Sequence, residues 1–294
     1  MPSRLAKIFL SQSQKHKIKT TARKLKSAYV KRFRSYNYDQ LLSALAAVGV
    51  EADDALMVHS SYLADNGFRE SPTRIVSAFQ EAIGPGGTLL MPSSHYTTST
   101  EEYVKNTKSF DVNRTTSHMG LLSEIFRRQK GTVRSLHPAH PVLASGPLAS
   151  WFIEGHADFV HSCGPGSPFE KLIESNAKAL FFDALPTHLM FFHYLEHIVN
   201  DDLPFPLYDS QIYQVLVIDE KGQERSVGVC PFSKEARTRR RFNILEEELR
   251  RLDMVRAQRV GNTMLMRISI RDTLKATRNL RSRGAYFYDL SGYD

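Results

Sequence analysis

Two short apolar runs, ALMVHSS at 55–61 and TLLMPSS at 88–94, bracket a stretch of helical periodicity, ESPTRIVSAFQEAIGPGG, with Pro72 in its first turn and Gly84 at its stop. A chain that alternates strand and helix this way must bury its apolar strands beneath helices. The alternation continues. NAKALFFDAL, 176–185, holds a third strand, and helices are predicted over 36–50, 119–131, 188–201 and 242–254. QIYQVLVIDEKGQERSVGVC predicts a hairpin turning at Lys221–Gly222, and NTMLMRISIRDTLKATRNL a strand followed by a helix. The expected fold is α/β, a mixed sheet with flanking helices, plus an N-terminal basic amphipathic helix.

Charge divides the chain where periodicity does not. Residues 1–38 hold eleven Lys or Arg and no Asp or Glu, so of the total +8 the rest of the chain contributes −3. A basic extension over 1–37 and a slightly acidic body over 38–294 are expected. In the extension Ile18, Ala22, Leu25, Tyr29 and Phe33 fall at helical spacing with Lys and Arg on the other faces. That pattern suits either a contact with anionic membrane or a solvated helix packed on its own domain. An acidic body without a recognition motif argues against nucleic acid as the partner. No apolar run approaches 18 residues. Cys163 and Cys230 make neither a disulfide framework nor a metal spacing, and a cytoplasmic setting is the expectation.

Several segments carry polar groups suited to chemistry. In MFFHYLEH, 190–197, His193 and Glu196 stand three apart on one helix face, among Phe192 and Leu195. The pair suits a general base with an orienting carboxylate, a satisfied structural pair or, least well, a metal site, since the second His of HExxH is absent. VRSLHPAHPVLASGP, 133–147, sets Arg134, Ser135, His137 and His140 on a stretch stiffened by Pro138 and Pro141. It suits a pocket lining and a surface turn equally. In CGPGSPFEKL, Ser167 is placed to cap a helix. VHSSYLADNGF, 58–68, runs from a strand into a Ser-rich loop, a plausible phosphate seat at Ser60, Ser61 and Tyr62. MPSSHY, 91–96, ends the next strand, where Ser93 or Ser94 can donate to an oxyanion.

In this order and spacing, VHSSYLADNGF, AFQEAIGPGGTLLMPSS, MGLLSEIFRRQKGTVRSLHPAHPVLASGP, CGPGSPFEKL and FFHYLEH resemble the aminoglycoside 3-N-acetyltransferase family over roughly residues 38–270. The resemblance implies an acetyl-CoA-dependent N-acetyltransferase with direct transfer from thioester to amine, no metal, and a fold distinct from that of the GNAT enzymes. It implies His193 as base, Glu196 as its partner and Ser93 as an oxyanion donor. Ser60, Ser61, Tyr62, Arg134, Ser135 and His137 would line the CoA side, His140 and Ser94 the acceptor side. Glu196 and neighbouring carboxylates would attract a cationic aminoglycoside or amino sugar. Two positions depart from the family pattern: Pro141 replaces a Ser, and Met190 a hydroxyl residue. The run FNILEEELRRLDMVRAQRVGNTMLMRIS is more similar to relatives associated with cell-surface polysaccharide. The alternative is a silent member that binds membrane or a partner through its basic extension.

Overall fold

The structure, a computed structural model, describes residues 12–293; the first eleven residues of the expected basic extension lie outside the described range. The chain begins with α1 (Gln12–Phe33), α2 (Tyr38–Ala47), β1 (Ala55–Ser60), α3 (Pro72–Ile83), β2 (Thr88–Pro92), α4 (Thr100–Asn106), β3 (Ser109–Asp111) and α5 (Leu121–Arg127). It continues through β4 (Val133–Arg134), β5 (Val142–Ser145), α6 (Ala149–Ile153), α7 (Pro168–Glu174), β6 (Lys178–Phe182) and α8 (Phe192–Ile198). The last third holds β7 (Tyr213–Ile218), β8 (Glu224–Val229), α9 (Lys234–Arg239), α10 (Asn243–Arg251), β9 (Arg256–Val260), β10 (Thr263–Ser269) and α11 (Ile270–Ser282).

The expected mixed sheet is present. Its strand order is β4-β5-β2-β1-β6-β10-β9. β2, β1 and β6 run parallel at the centre, and antiparallel strands finish both edges. Alternation along the strands sorts the core. Leu56, Val58, Leu180 and Phe182 face the cluster under α2 and α3, while Met57, Ala179 and Phe181 face the cluster that includes α7, α8 and α11 residues. The 211–230 segment forms the expected hairpin, β7 with β8, and β3 joins it to make a second, three-stranded sheet.

Helix α3 starts at Pro72 and stops at Gly84, whose φ of 64° suits glycine. The helix expected over 188–201 is shorter. A 3-10 turn at Pro186–His188 precedes it, and α8 begins only at Phe192. The physical reason lies outside the segment: the Met190 N–H donates to His59 Nε2 at 3.0 Å instead of to a helical carbonyl. Strand β9, RAQRV, has no apolar alternation because it is an edge strand with three of its five residues exposed.

Helix α1 forms over the expected basic segment, and no described helix is long and apolar enough to cross a membrane. Its apolar stripe does not pack on the body: Ile18, Leu25, Tyr29 and Phe33 are 53–68% exposed. Val30, on a different flank, is buried close to Gly67, and Lys26 pairs with Asp65 at 2.8 Å.

Candidate active site

Ligands of α/β sheets sit beyond the carboxyl ends of parallel strands. Here the carboxyl ends of β1, β2 and β6 and the segments after them bring Ser60, Ser61, Tyr62, Pro92, Ala184 and His188 to one edge, where they line a cavity of about 330 Å³ with Met119 and Gly120. Gly120 holds φ 103°, which keeps a side chain off that wall. A second cavity, about 670 Å³, is lined by Met119, His188, Met190, His193, Arg240 and Phe242, among others. Met119 and His188 line both cavities, so the two meet there.

His193 reaches the larger cavity from the first turn of α8. Its ring is 13% exposed, and Nδ1 lies 2.7 Å from Glu196 Oε2. Glu196 is fully buried, and its other oxygen accepts from Arg240 Nε and from the Tyr288 hydroxyl, each at 2.5 Å. Burial alone would raise the Glu196 carboxyl, but hydrogen bonds and charge from His193 and Arg240 outweigh it and hold it below its usual value. An ionised Glu196 fixes the His193 proton on Nδ1 and leaves Nε2 with a lone pair. Burial holds His193 below the usual imidazole value, with Glu196 opposing, so the neutral ring that can accept a proton prevails near pH 7. The Arg240 guanidinium also lies over the rings of Phe232 and Phe242, 4.8 and 5.3 Å from their centroids. This arrangement can take a proton from a group in the cavity and stabilise the resulting imidazolium.

The other residues singled out in the sequence divide into two groups. Ser60, Ser61 and Tyr62 line the smaller cavity. His140 lies beside the pair, its ring 5.6 Å from that of His193 and its Nδ1 2.6 Å from Ser162 Oγ. Arg134, Ser135 and His137, expected on the CoA side, line neither of these two cavities, and Arg134 lines a third of about 290 Å³. The Arg134 guanidinium is buried over Phe110 and donates to the carbonyls of Thr115 and Ser93. Ser135 Oγ accepts the Val142 N–H and bonds His156 Nδ1, and His137 Nδ1 accepts the Ala139 N–H. Their polar groups hold the 134–142 segment in shape. Ser93 is likewise sealed: its N–H donates to the Pro141 carbonyl and its hydroxyl is buried without a partner. Ser94 is also buried, with Oγ directed to the Ala139 carbonyl at 3.3 Å. Neither serine lines the cavity that holds His193.

Among the described residues no Asp or Glu lines the larger cavity, and Glu196 is buried with its three donors. Sequence reasoning missed Arg240, Tyr288 and His59. Arg240 stands in the basic run TRRRF and Tyr288 near the end of the chain; neither spacing connects them to Glu196. His59 sat inside a motif already singled out, and its burial beside Phe181 keeps it neutral, its value lowered to about 3.

The family model described as aminoglycoside 3-N-acetyltransferase matches residues 57–281, most of the chain. The chain belongs to this family. Its similarity to aminoglycoside N(3)-acetyltransferase III of Salmonella sp is 29% identity over 58% of this chain and 67% of that protein. A form from Enterobacter cloacae is 30% identical over 54% and 60%. The matched stretch thus spans between three-fifths and two-thirds of these relatives' length. Among solved structures, AAC-IIIb binary with CoASH superposes with TM-score 0.71 at 24% identity, covering 84% of this chain and 97% of that one. AAC(3)-Xa gives 0.74 at 21%, covering 88% and 98%. The family, its mixed α/β fold and the acetyltransferase class expected from the motifs are borne out.

Proposed function

We propose that the protein transfers an acetyl group from acetyl-CoA to the amine of an amino sugar, with His193 as general base. The supporting observation is the His193–Glu196 pair, closed at 2.7 Å, on the wall of a cavity that meets a second cavity at Met119 and His188. Direct transfer requires two substrates in contact, and two joined cavities offer that arrangement. The printed name of one structural neighbour includes CoASH, and the loop after β1 with its three hydroxyl groups suits the CoA side. Acetyl-CoA would supply the acyl group as a thioester.

An ammonium has no lone pair and cannot attack. His193 Nε2 takes a proton from it, and Glu196 offsets the imidazolium that forms. The ring releases that first proton to solvent, and as the nitrogen–carbon bond forms and the carbon–sulfur bond breaks it takes the nitrogen's second proton and delivers it to the departing thiolate. Arg240 and Tyr288 keep Glu196 ionised and fixed. A thiol-release assay with acetyl-CoA and a panel of amines tests the reading. Turnover by the native protein, with about 10²–10⁴-fold less in His193→Ala, is the expected result. Turnover untouched by that change would refute the role of the ring.

A second reading concerns α1. The exposed stripe of Ile18, Leu25, Tyr29 and Phe33 lies among Lys and Arg, a pairing suited to an anionic bilayer surface. Co-sedimentation with phosphatidylserine vesicles, lost with phosphatidylcholine alone and in Leu25→Glu, is the expected outcome; equal recovery with both lipids would remove it.

A further inference from the structure

Attack on a thioester carbon moves the carbonyl electron pair onto oxygen, and that charge is best met by a donor fixed in advance. Ser93 and Ser94 do not supply it, since they line neither of the two joined cavities. Ser60, Ser61 and Tyr62 line the smaller cavity alone, and Thr187, His193 and Arg240 the larger alone. Met119 and His188 line both, and of these two only His188 has a polar side chain that can donate a hydrogen bond. Among the described residues no Asp or Glu lines either cavity, so no carboxylate of the lining opposes a growing negative charge.

His188 is held in place by its own turn. It closes the 3-10 turn Pro186–His188, and its N–H donates to the Leu185 carbonyl at 2.9 Å. The next two N–H groups are also tied, Leu189 to the Pro186 carbonyl and Met190 to His59 Nε2, each at 3.0 Å. The ring is tied at one nitrogen. Leu185 N–H donates to Nδ1 at 3.3 Å, which leaves the proton of the neutral ring on Nε2. In the charged ring Nδ1 donates to the Leu185 carbonyl, also at 3.3 Å, and Nε2 remains a donor. Both ring contacts are with Leu185, so Nε2 has no hydrogen bond to the described residues. The residue is exposed, so a ligand can reach it without rearrangement of the core.

We propose that His188 Nε2–H is the side-chain donor to the thioester oxygen, placed where the two cavities meet. The inference rests on acetyl transfer from acetyl-CoA to an amine at His193, and assigns a second residue to that reaction. The amine nitrogen bonds to the thioester carbon, the carbonyl pair moves to oxygen, and Nε2–H shares its proton with that oxygen without giving it up. When the pair returns, the carbonyl re-forms and the carbon–sulfur bond breaks. His193 moves protons in this scheme and His188 moves none.

The test compares native protein, His188→Ala and His188→Gln, whose amide keeps an N–H donor on a side chain of similar reach. Steady-state kinetics with acetyl-CoA and kanamycin should show kcat about 10²-fold lower in His188→Ala, with KM for acetyl-CoA and melting temperature unchanged and part of the loss restored in His188→Gln. An unchanged kcat in His188→Ala overturns the inference. So does a raised KM for acetyl-CoA with kcat intact, which would make His188 a binding residue only. A loss that His188→Gln does not relieve, together with a lowered melting temperature, overturns it as well and makes the role structural. A second measurement needs no amine: the carbonyl stretching band of bound acetyl-CoA, read by difference infrared with a ¹³C-carbonyl label. The band should lie lower in native protein than in His188→Ala. That difference in a protein that acetylates no amine supports the donor and counts against the proposed transfer. Native turnover with the band and kcat both unmoved by His188→Ala does the reverse, and failure of acetyl-CoA to bind overturns both.

Discussion

Two histidine-rich regions lie within a few ångströms of each other and behave differently. At the mouth of α8, His193 has one ring nitrogen on Glu196 and the ring at a cavity wall. In the 134–140 segment, His137 is sealed against His156, ring to ring at 5.0 Å, and His156 bonds Ser135 Oγ and the Ser162 carbonyl. Burial drives the basicity of both regions down, to about 4 for His156 and well below the usual value for His137. What separates them is the partner. His193 has a buried carboxylate that opposes desolvation and welcomes a proton; the 137–156 pair has no carboxylate, and the Ser162 carbonyl opposes desolvation yet leaves His156 at about 4. Residue type is shared, and surroundings decide which ring can exchange a proton with a substrate.

Mutation tests that contrast most directly. His193→Ala should lower kcat by about 10²–10⁴ while leaving the melting temperature within a few degrees, as read by steady-state kinetics and calorimetry. The reverse pattern, a destabilised protein with kcat per folded molecule intact, would move His193 into the structural class. Arg240→Met removes the counter-charge from a fully buried carboxylate and should cost about 3–5 kcal/mol in urea unfolding, part of it recovered by adding Glu196→Gln. No recovery in the double variant would show that Arg240 acts through its packing on Phe232 and Phe242. Ser135→Ala should cost about 1–3 kcal/mol, since it strands the Val142 N–H and a His156 nitrogen, with kcat per folded molecule unchanged. A rise in the KM for acetyl-CoA instead would restore Ser135 to the CoA side.

Acid sharpens the same comparison. His59 and His156 have folded values near 3 and 4, below the ordinary value of 6.5. The unfolded chain therefore binds protons that the native protein refuses. Their contribution is complete above about pH 6.5 and is lost as pH falls toward 4, at roughly 1.4 kcal/mol per pH unit per group. Melting temperature followed from pH 7 to pH 4 should fall steeply over that window. A flat profile would mean these rings are protonated in the fold. The acid limb of kcat/KM should lie below 6.5, following His193, whose folded value is also lowered. A midpoint above 6.5 would assign the limb to another group. Tyr288→Phe is the mildest change, about 1 kcal/mol or less of lost stability, because Glu196 keeps its two charged partners.

Much of the fold could be read from local pattern. Apolar runs at 55–61, 88–94 and 176–185 became the parallel centre of the sheet, and the Lys221–Gly222 turn joined the expected hairpin. These features depend on periodicity and on turn residues, which act within a few positions of themselves. The edge strand 256–260 escaped notice because exposure removes the alternation that marks a strand. At the site, His193 with Glu196 was legible because three residues on a helix place them together.

Beyond that reach the sequence set only the cast. Arg134, Ser135 and His137 hold backbone groups that would otherwise be buried unpaired, partners that only tertiary packing supplied. Arg240 and Tyr288 are 44 and 92 positions from Glu196, and only the closing of α9 and the C-terminal segment over α8 brings them to one carboxylate. The sequence by itself determined the alternating elements, the family and the His193–Glu196 pairing. The tertiary structure decided which polar groups face a cavity and what charge its wall carries. Both depend on burial and on contacts between distant segments, which no local spacing encodes.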